Sequence, residues 1–314
     1  MLNNILTTAF LVSLIAGAIR VTTPILLAAL GELVTERSGI MNLSIEGTMV
    51  LGAFIGFVVT YHAGSLWLGL IAAIIAGGML AALFGVLVVN LKIDQTISGL
   101  TINMFASGFA FYLYRIVFSE IGAGNLPNIS IFTPISIPLF SDIPIIGKAF
   151  FNHSALAYIA FLMVPVLTFF IYKTRLGLEL RALGENPRAL DMKGINVIKY
   201  QFLAIIFGGM MSGAAGSFLT LASSGMFVPN IASGRGWIAF AIVIFGNWKP
   251  VNIMFAALFF GFLDSFQMQV QGIGIQFPYQ ILLALPYVLT IIVLMSGKRK
   301  SGEPLSLGVP YYRE

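Results

Sequence analysis

A polytopic, all-α membrane protein is the fold class this sequence predicts, on three observations. Apolar residues make up 58% of the chain and charged residues only 9%, against roughly one-quarter charged in soluble domains. Apolar runs of about 20 residues recur from end to end, the length that crosses a hydrocarbon core as a helix. Those runs are continuous rather than alternating, which excludes a β-barrel. No stretch is polar enough to form a soluble domain that could hold a nucleotide.

Spans are expected at 5–33, 42–61, 66–91, 97–118, 154–173, 198–223, 234–248, 251–271 and 278–296. The first contains Arg20 and Pro24 and reads either as one kinked helix or as two short ones, so the total is nine or ten. The second follows Asn42 and Ser44 and carries Glu46 at its inner start. The third has Gly69, Ala73, Gly77, Ala81 and Gly85 along one face, and the sixth has Gly209, Gly213 and Ser217. Small faces let backbones approach closely in lipid, so these are packing surfaces. The fourth carries Thr101, Asn103 and Ser107. Between it and the fifth, segment 119–153 is rich in Pro, Gly and Ile. It is too broken for a membrane helix and too apolar for a disordered linker, and it is expected over the outer mouth of the bundle, as a lid or as simple packing. The eighth carries Asp264 and Gln267, three residues apart and hence on one face.

Basic residues set the orientation. The 173–199 connection holds Lys173, Arg175, Arg181, Arg188, Lys193 and Lys199, and the tail holds Lys298, Arg299 and Lys300. Both are expected in the cytoplasm, and the four spans between them are the even number this requires. Counting backwards puts 35–41 and 91–95 inside as well and 119–153 outside. The pI near 9.5 therefore reflects topology and not nucleic-acid binding. The chain has no cysteine, which excludes disulfides, thiol catalysis and cluster ligation. Its first residues lack the basic start and cleavage site of a secretory signal, so the first helix is expected to stay. His62 and His153 are far apart, without metal-ligand spacing, and neither a Walker loop nor a nucleophile elbow occurs. Catalytic residues, a bound metal and a resident cofactor are not expected.

Polar groups at membrane depth are expensive and mark a cavity, a partner or a path. Glu46, Asn103, Asp264 and Gln267 are the candidate path residues. A lining made mostly of uncharged donors and acceptors suits a neutral, hydroxyl- and amide-bearing solute. The rival reading is structural, with Asp264 paired to Arg20.

The stretch 176–197 (LGLELRALGENPRALDMKGINV) is charged and capped in an otherwise apolar chain. Asn186 is placed to act as an N-cap, Pro187 suits the first helical position, and Gly194 offers a left-handed stop. The helix of about two turns between them is too short to stand alone in water, so it must dock on something. A polar connector between two spans is the plainer reading.

Five stretches carry a family resemblance: 24–31 (PILLAALG), 36–52 (ERSGIMNLSIEGTMVLG), 180–197 (LRALGENPRALDMKGINV), 208–216 (GGMMSGAAG) and 234–250 (GRGWIAFAIVIFGNWKP). In these the chain resembles the permease subunits of bacterial ABC importers in the ribose/branched-chain amino-acid superfamily, most closely those for purine nucleosides. The resemblance implies one transmembrane permease domain over 1–314 in a bacterial plasma membrane. It implies that 176–197 is the coupling loop seated in a cytosolic ATPase, with Arg181, Glu185, Asn186, Pro187 and Arg188 at or behind the contact. It also implies a second, related permease subunit and an extracytoplasmic substrate-binding lipoprotein, with ATP bound by the ATPase partner. Nucleosides are the expected solute, ribose or another simple sugar the alternative. An ion-gradient transporter using Glu46 and Asp264 is the rival from another class.

Overall fold

A computed structural model describes residues 8–119, 127–136, 146–272 and 302–312. Seven of its helices are long and apolar enough to cross a membrane, and an eighth, shorter apolar helix accompanies them. The expected span at 278–296 and the tail cations Lys298, Arg299 and Lys300 lie outside the described residues.

The first helix, α1 (Thr8–Arg37), runs unbroken through Pro24, which resolves the one-or-two question in favour of one. The proline removes a rung of the backbone ladder. Beside that gap the Thr23 hydroxyl donates to Ile19 O at 2.8 Å and that of Thr22 to Ala257 O at 3.2 Å, so both buried hydroxyls are met within the bundle. Next come α2 (Ile45–Ala63) and α3 (Leu66–Gly85), the latter continuing as a π-helical turn over Val86–Asn90. Asp94 caps α4 (Gln95–Val117) by accepting from Ile97 N at 2.9 Å.

A two-stranded ribbon pairs β1 (Ile135–Ser136) with β2 (Asn152–His153) in antiparallel register, around the one-turn α5 (Ile146–Phe150). Residues 127–136 lie across helix ends: Ile129 N donates to Gly225 O and Phe132 N to Leu221 O, both at 2.8 Å, and the Phe132 ring meets Trp67. The described part of the 119–153 segment thus packs over one end of the bundle.

Helix α6 (Ala155–Lys173) leads into α7 (Arg175–Glu185) and α8 (Pro187–Asp191), each short and outside the apolar spans. Then α9 (Val197–Phe218) returns through the bundle and ends in a π-helical segment, Leu219–Ser224. The last two are α10 (Arg235–Phe245) and α11 (Pro250–Gly272).

Helices α2 and α9 have 72% of their apolar windows buried and α4 only 17%, so the former pair form the centre and α4 the perimeter. The small faces do the packing expected of them. A Cβ at Gly77 would collide with Gly209 O and Gly213, and one at Gly209 with Ala81. With no hydrophobic force between helices in lipid, this backbone approach supplies the dispersion that holds α3 to α9.

Candidate functional site

Residues 38–44 fold back along α1 instead of leading straight to a span at the bundle edge. The Asn42 N–H donates to Glu32 Oε1 at 2.9 Å, and the Met41 N–H to Gln95 Oε1 at 2.7 Å. Asn42 Oδ1 accepts from both the N–H (2.9 Å) and the hydroxyl (2.6 Å) of Ser44. These side chains satisfy a backbone that lipid would leave unpaired. As a result α2 begins deep in the bundle. Gly47 lies against α4, where a Cβ would come 2.7 Å from Asn103 Cα. Asn103 is itself about 13 Å along α4 from Asp94 at 1.5 Å per residue. Glu46 stands in the first turn of α2, where it was expected, and the fold-back carries that turn to mid-depth, level with Asn103. A re-entrant loop held by buried side chains leaves no signature in hydropathy.

Helix α10 is a half-span. Its 11 residues extend about 17 Å, roughly half of a 30 Å hydrocarbon core. Its N-terminus points at Glu46. Glu46 Oε1 accepts from Gly234 N and Oε2 from Gly236 N, each at 2.7 Å. The carboxylate supplies acceptors for N–H groups that a helix start leaves orphaned, and its charge complements the positive end of the dipole. Gly234 sits at φ +85°, and Gly236 packs on the Glu46 backbone with no room for a side chain. Both positions demand glycine.

Two further candidates adjoin this junction. Asn103 Oδ1 is buried and has no hydrogen-bond partner among the described residues. Asp264 is half-buried on α11, and the Arg235 guanidinium at the start of α10 acts on it electrostatically. Arg20 lies elsewhere, around a small outer cavity with Asn152 and His153, so the geometry offers no Arg20–Asp264 pair among the described residues. Gln267 is buried about one turn further along α11, and its neighbours Ser265 and Gln269 bind Leu14 O and Ser13 of α1. The structure thus brings Glu46 onto the α10 start with Asn103 beside Gly47, sets Asp264 within electrostatic reach of Arg235, and leaves Gln267 a turn beyond. Phe227, from the irregular stretch before α10, packs against Phe54 (5.5 Å between centroids) and Tyr114 (5.2 Å), about 12 Å along α2 from Glu46.

The coupling candidates occupy one end of the bundle. Asn186 Oδ1 accepts from Ala189 N at 3.2 Å, Pro187 is the first helical residue, and Gly194 has φ +76°. The caps are as expected, but the helix is five residues long and not two turns, because 192–194 form a turn. Glu185 and Arg188 are exposed. Arg181 instead turns back, its guanidinium 5.2 Å from the Tyr172 ring centroid, so it fixes the loop to α6. On α7 the Glu179 carboxylate accepts from the Tyr200 hydroxyl and from Arg175 Nε, and these bonds hold its pKa below the usual value. The 38–44 loop, the 91–94 loop, the 246–249 turn and residues 302–312 all meet at this same end, which agrees with the counted topology.

Five residues at or beside these sites were not read as site residues from the sequence. Glu36 accepts a hydrogen bond from Trp248 Nε1, and Arg37 donates to Trp248 O at 2.7 Å. This joins the 36–52 and 234–250 stretches at the coupling end, as Glu46 joins them at mid-depth. Glu32 and Gln95 hold the re-entrant loop. The available signal was Glu32 and Glu36, two acids one turn apart within an apolar helix.

The family described as branched-chain amino acid transport system / permease component matches residues 14–294. TsgC13 of Haloferax volcanii, provisionally named a glucose ABC transporter permease, is 37% identical over 96% of this chain and 96% of its own length. The guanosine ABC transporter permease protein NupQ of Bacillus subtilis is 33% identical over 92% of this chain and 93% of its own. The nucleoside ABC transporter permease protein NupC of Lactococcus lactis is 33% identical over 96% of both. No solved structure matches.

Proposed function

Because the chain belongs to the family of ABC transporter permease components, we propose that it imports nucleosides as one half of a translocation pathway driven by a separate ATPase. It is a multi-pass plasma-membrane permease, and the family implies an ATPase and a substrate-binding partner. In our reading the basic end faces the cytoplasm, the chain performs no catalysis itself, and ATP is bound by the partner. The companion is a second, related permease, as the paired guanosine permeases NupP and NupQ of Bacillus subtilis suggest.

The observation that carries this reading is the half-span. Helix α10 stops at mid-depth, where an unpaired amide oxygen, backbone groups and a carboxylate already engaged by two N–H donors surround its end. Broken helices at the midplane are where transporters bind solute, and this lining suits a neutral polar molecule. The engaged carboxylate also speaks against Glu46 as a proton or sodium carrier. Glucose is the second reading, favoured by the relative at 37% identity. Uptake of labelled guanosine, adenosine, glucose and ribose by cells with and without this chain separates them. Loss of guanosine uptake alone supports nucleosides, and loss of glucose uptake alone supports the sugar.

A further inference from the structure

Residues 302–312 follow the last expected span, yet they are tied down at several points. Gly302 N donates to Asn247 Oδ1 at 2.6 Å, in the turn that ends α10. Ser306 N donates to Gly184 O at 2.8 Å, and Gly308 N to Gly39 O at 3.1 Å. The Tyr311 hydroxyl reaches Asp191 Oδ2 on α8 at 2.8 Å. The Tyr312 ring lies 4.0 Å beneath Lys92 Nζ. The segment therefore touches four separate connections between helices.

We propose that this segment and α8 together form one composite surface on which the cytosolic ATPase docks, an inference that rests on the importer reading above. Continuity with the coupling helix is the first ground, through the Tyr311–Asp191 bond. Position is the second. A segment that touches four interhelical connections crosses the middle of the face, beyond the helix ends, where lipid does not reach. Side-chain chemistry is the third. Leu305 is 81% exposed, Val309 and Tyr312 58% each, and Met192 at the end of α8 84%. Large apolar side chains exposed amid polar surface mark a protein contact. Area supplies a further reason: a stable interface buries about 800 Å² per partner, which a five-residue helix does not offer alone. Because Gly302 also holds the turn below α10, motion of the docked partner reaches the half-span by this route as well as through α7 and α9.

The test uses the full chain co-expressed with its companion permease and ATPase. The double variant Leu305→Glu/Val309→Glu is expected to reach the membrane with its companion and to bind the ATPase about tenfold more weakly, the scale of a lost interface anchor. Affinity unchanged in that variant, with binding lost in Arg188→Glu, overturns the composite surface while leaving the importer reading intact. A wild-type chain that captures no ATPase overturns both. If the double variant does not accumulate, Val309→Cys and Met192→Cys in this cysteine-free chain serve instead, with a short bifunctional crosslinker. Adducts to the ATPase from both positions are expected; an adduct from 192 with none from 309 overturns the proposal.

Discussion

Around Glu46 the chain buries a carboxylate at mid-depth and meets both its oxygens with backbone N–H groups of α10. Around Asn186 it leaves a five-residue helix at the end of the bundle, held at its start by one side-chain cap. The contrast follows from the surroundings. Away from bulk water each unmet polar group is expensive, so both Glu46 oxygens are met by the backbone of a neighbouring helix. At the other end water competes for every exposed bond, so each contributes little. In the proposed reading the first serves as a gate that holds its alignment and the second as a handle for the motor.

Glu46→Ala is expected to have the largest effect, because it strips the acceptor from one buried and one part-buried N–H group, at about 1–3 kcal/mol for a buried one. Uptake should vanish and the melting temperature of the purified permease pair should fall. A variant that transports and melts like the wild type would erase the distinction drawn here. Asn186→Ala removes only a cap, about 1 kcal/mol. Uptake should drop several-fold while melting and membrane level hold. Ala189→Pro should act alike, since it deletes the N–H that Asn186 caps.

Asp264→Asn sharpens the junction side. It is expected to reduce uptake without loss of assembly, whereas Arg20→Gln should leave both near normal, because Arg20 lies at the outer cavity. Joint loss of the folded complex in both variants would restore the structural pairing. The smallest effect belongs to Tyr200→Phe, which loses one bond to the half-buried Glu179. With its pKa lowered in the folded chain, Glu179 contributes stability above the ordinary carboxylate pKa and loses it as pH falls through the lowered value. Uptake near neutral pH should therefore be flat with pH, and the variant should fall by about twofold or less. A steep neutral-pH dependence removed by Tyr200→Phe would contradict this.

Most of the architecture was legible in sequence because lipid imposes it: apolar runs, capped ends and small faces have periodic or positional signatures. The depth of Glu46 was not, since the fold-back of 38–44 depends on contacts from Glu32 and Gln95 that lie far away in sequence. The same holds for Trp248, whose ring nitrogen and carbonyl bind Glu36 and Arg37. Asn186 and Gly194 were readable because a cap and a left-handed stop act within a few residues. Local chemistry shows in a sequence, and cross-bundle chemistry needs coordinates.

The claim that this chain turns motion from a cytosolic ATPase into passage of a neutral solute is tested most directly in sealed proteoliposomes. These would contain the chain, its companion permease and the ATPase, with the binding protein outside and labelled guanosine as solute. Uptake should require ATP on the ATPase side and persist when ion gradients are collapsed. Uptake without ATP, driven by an imposed proton or sodium gradient, would contradict it.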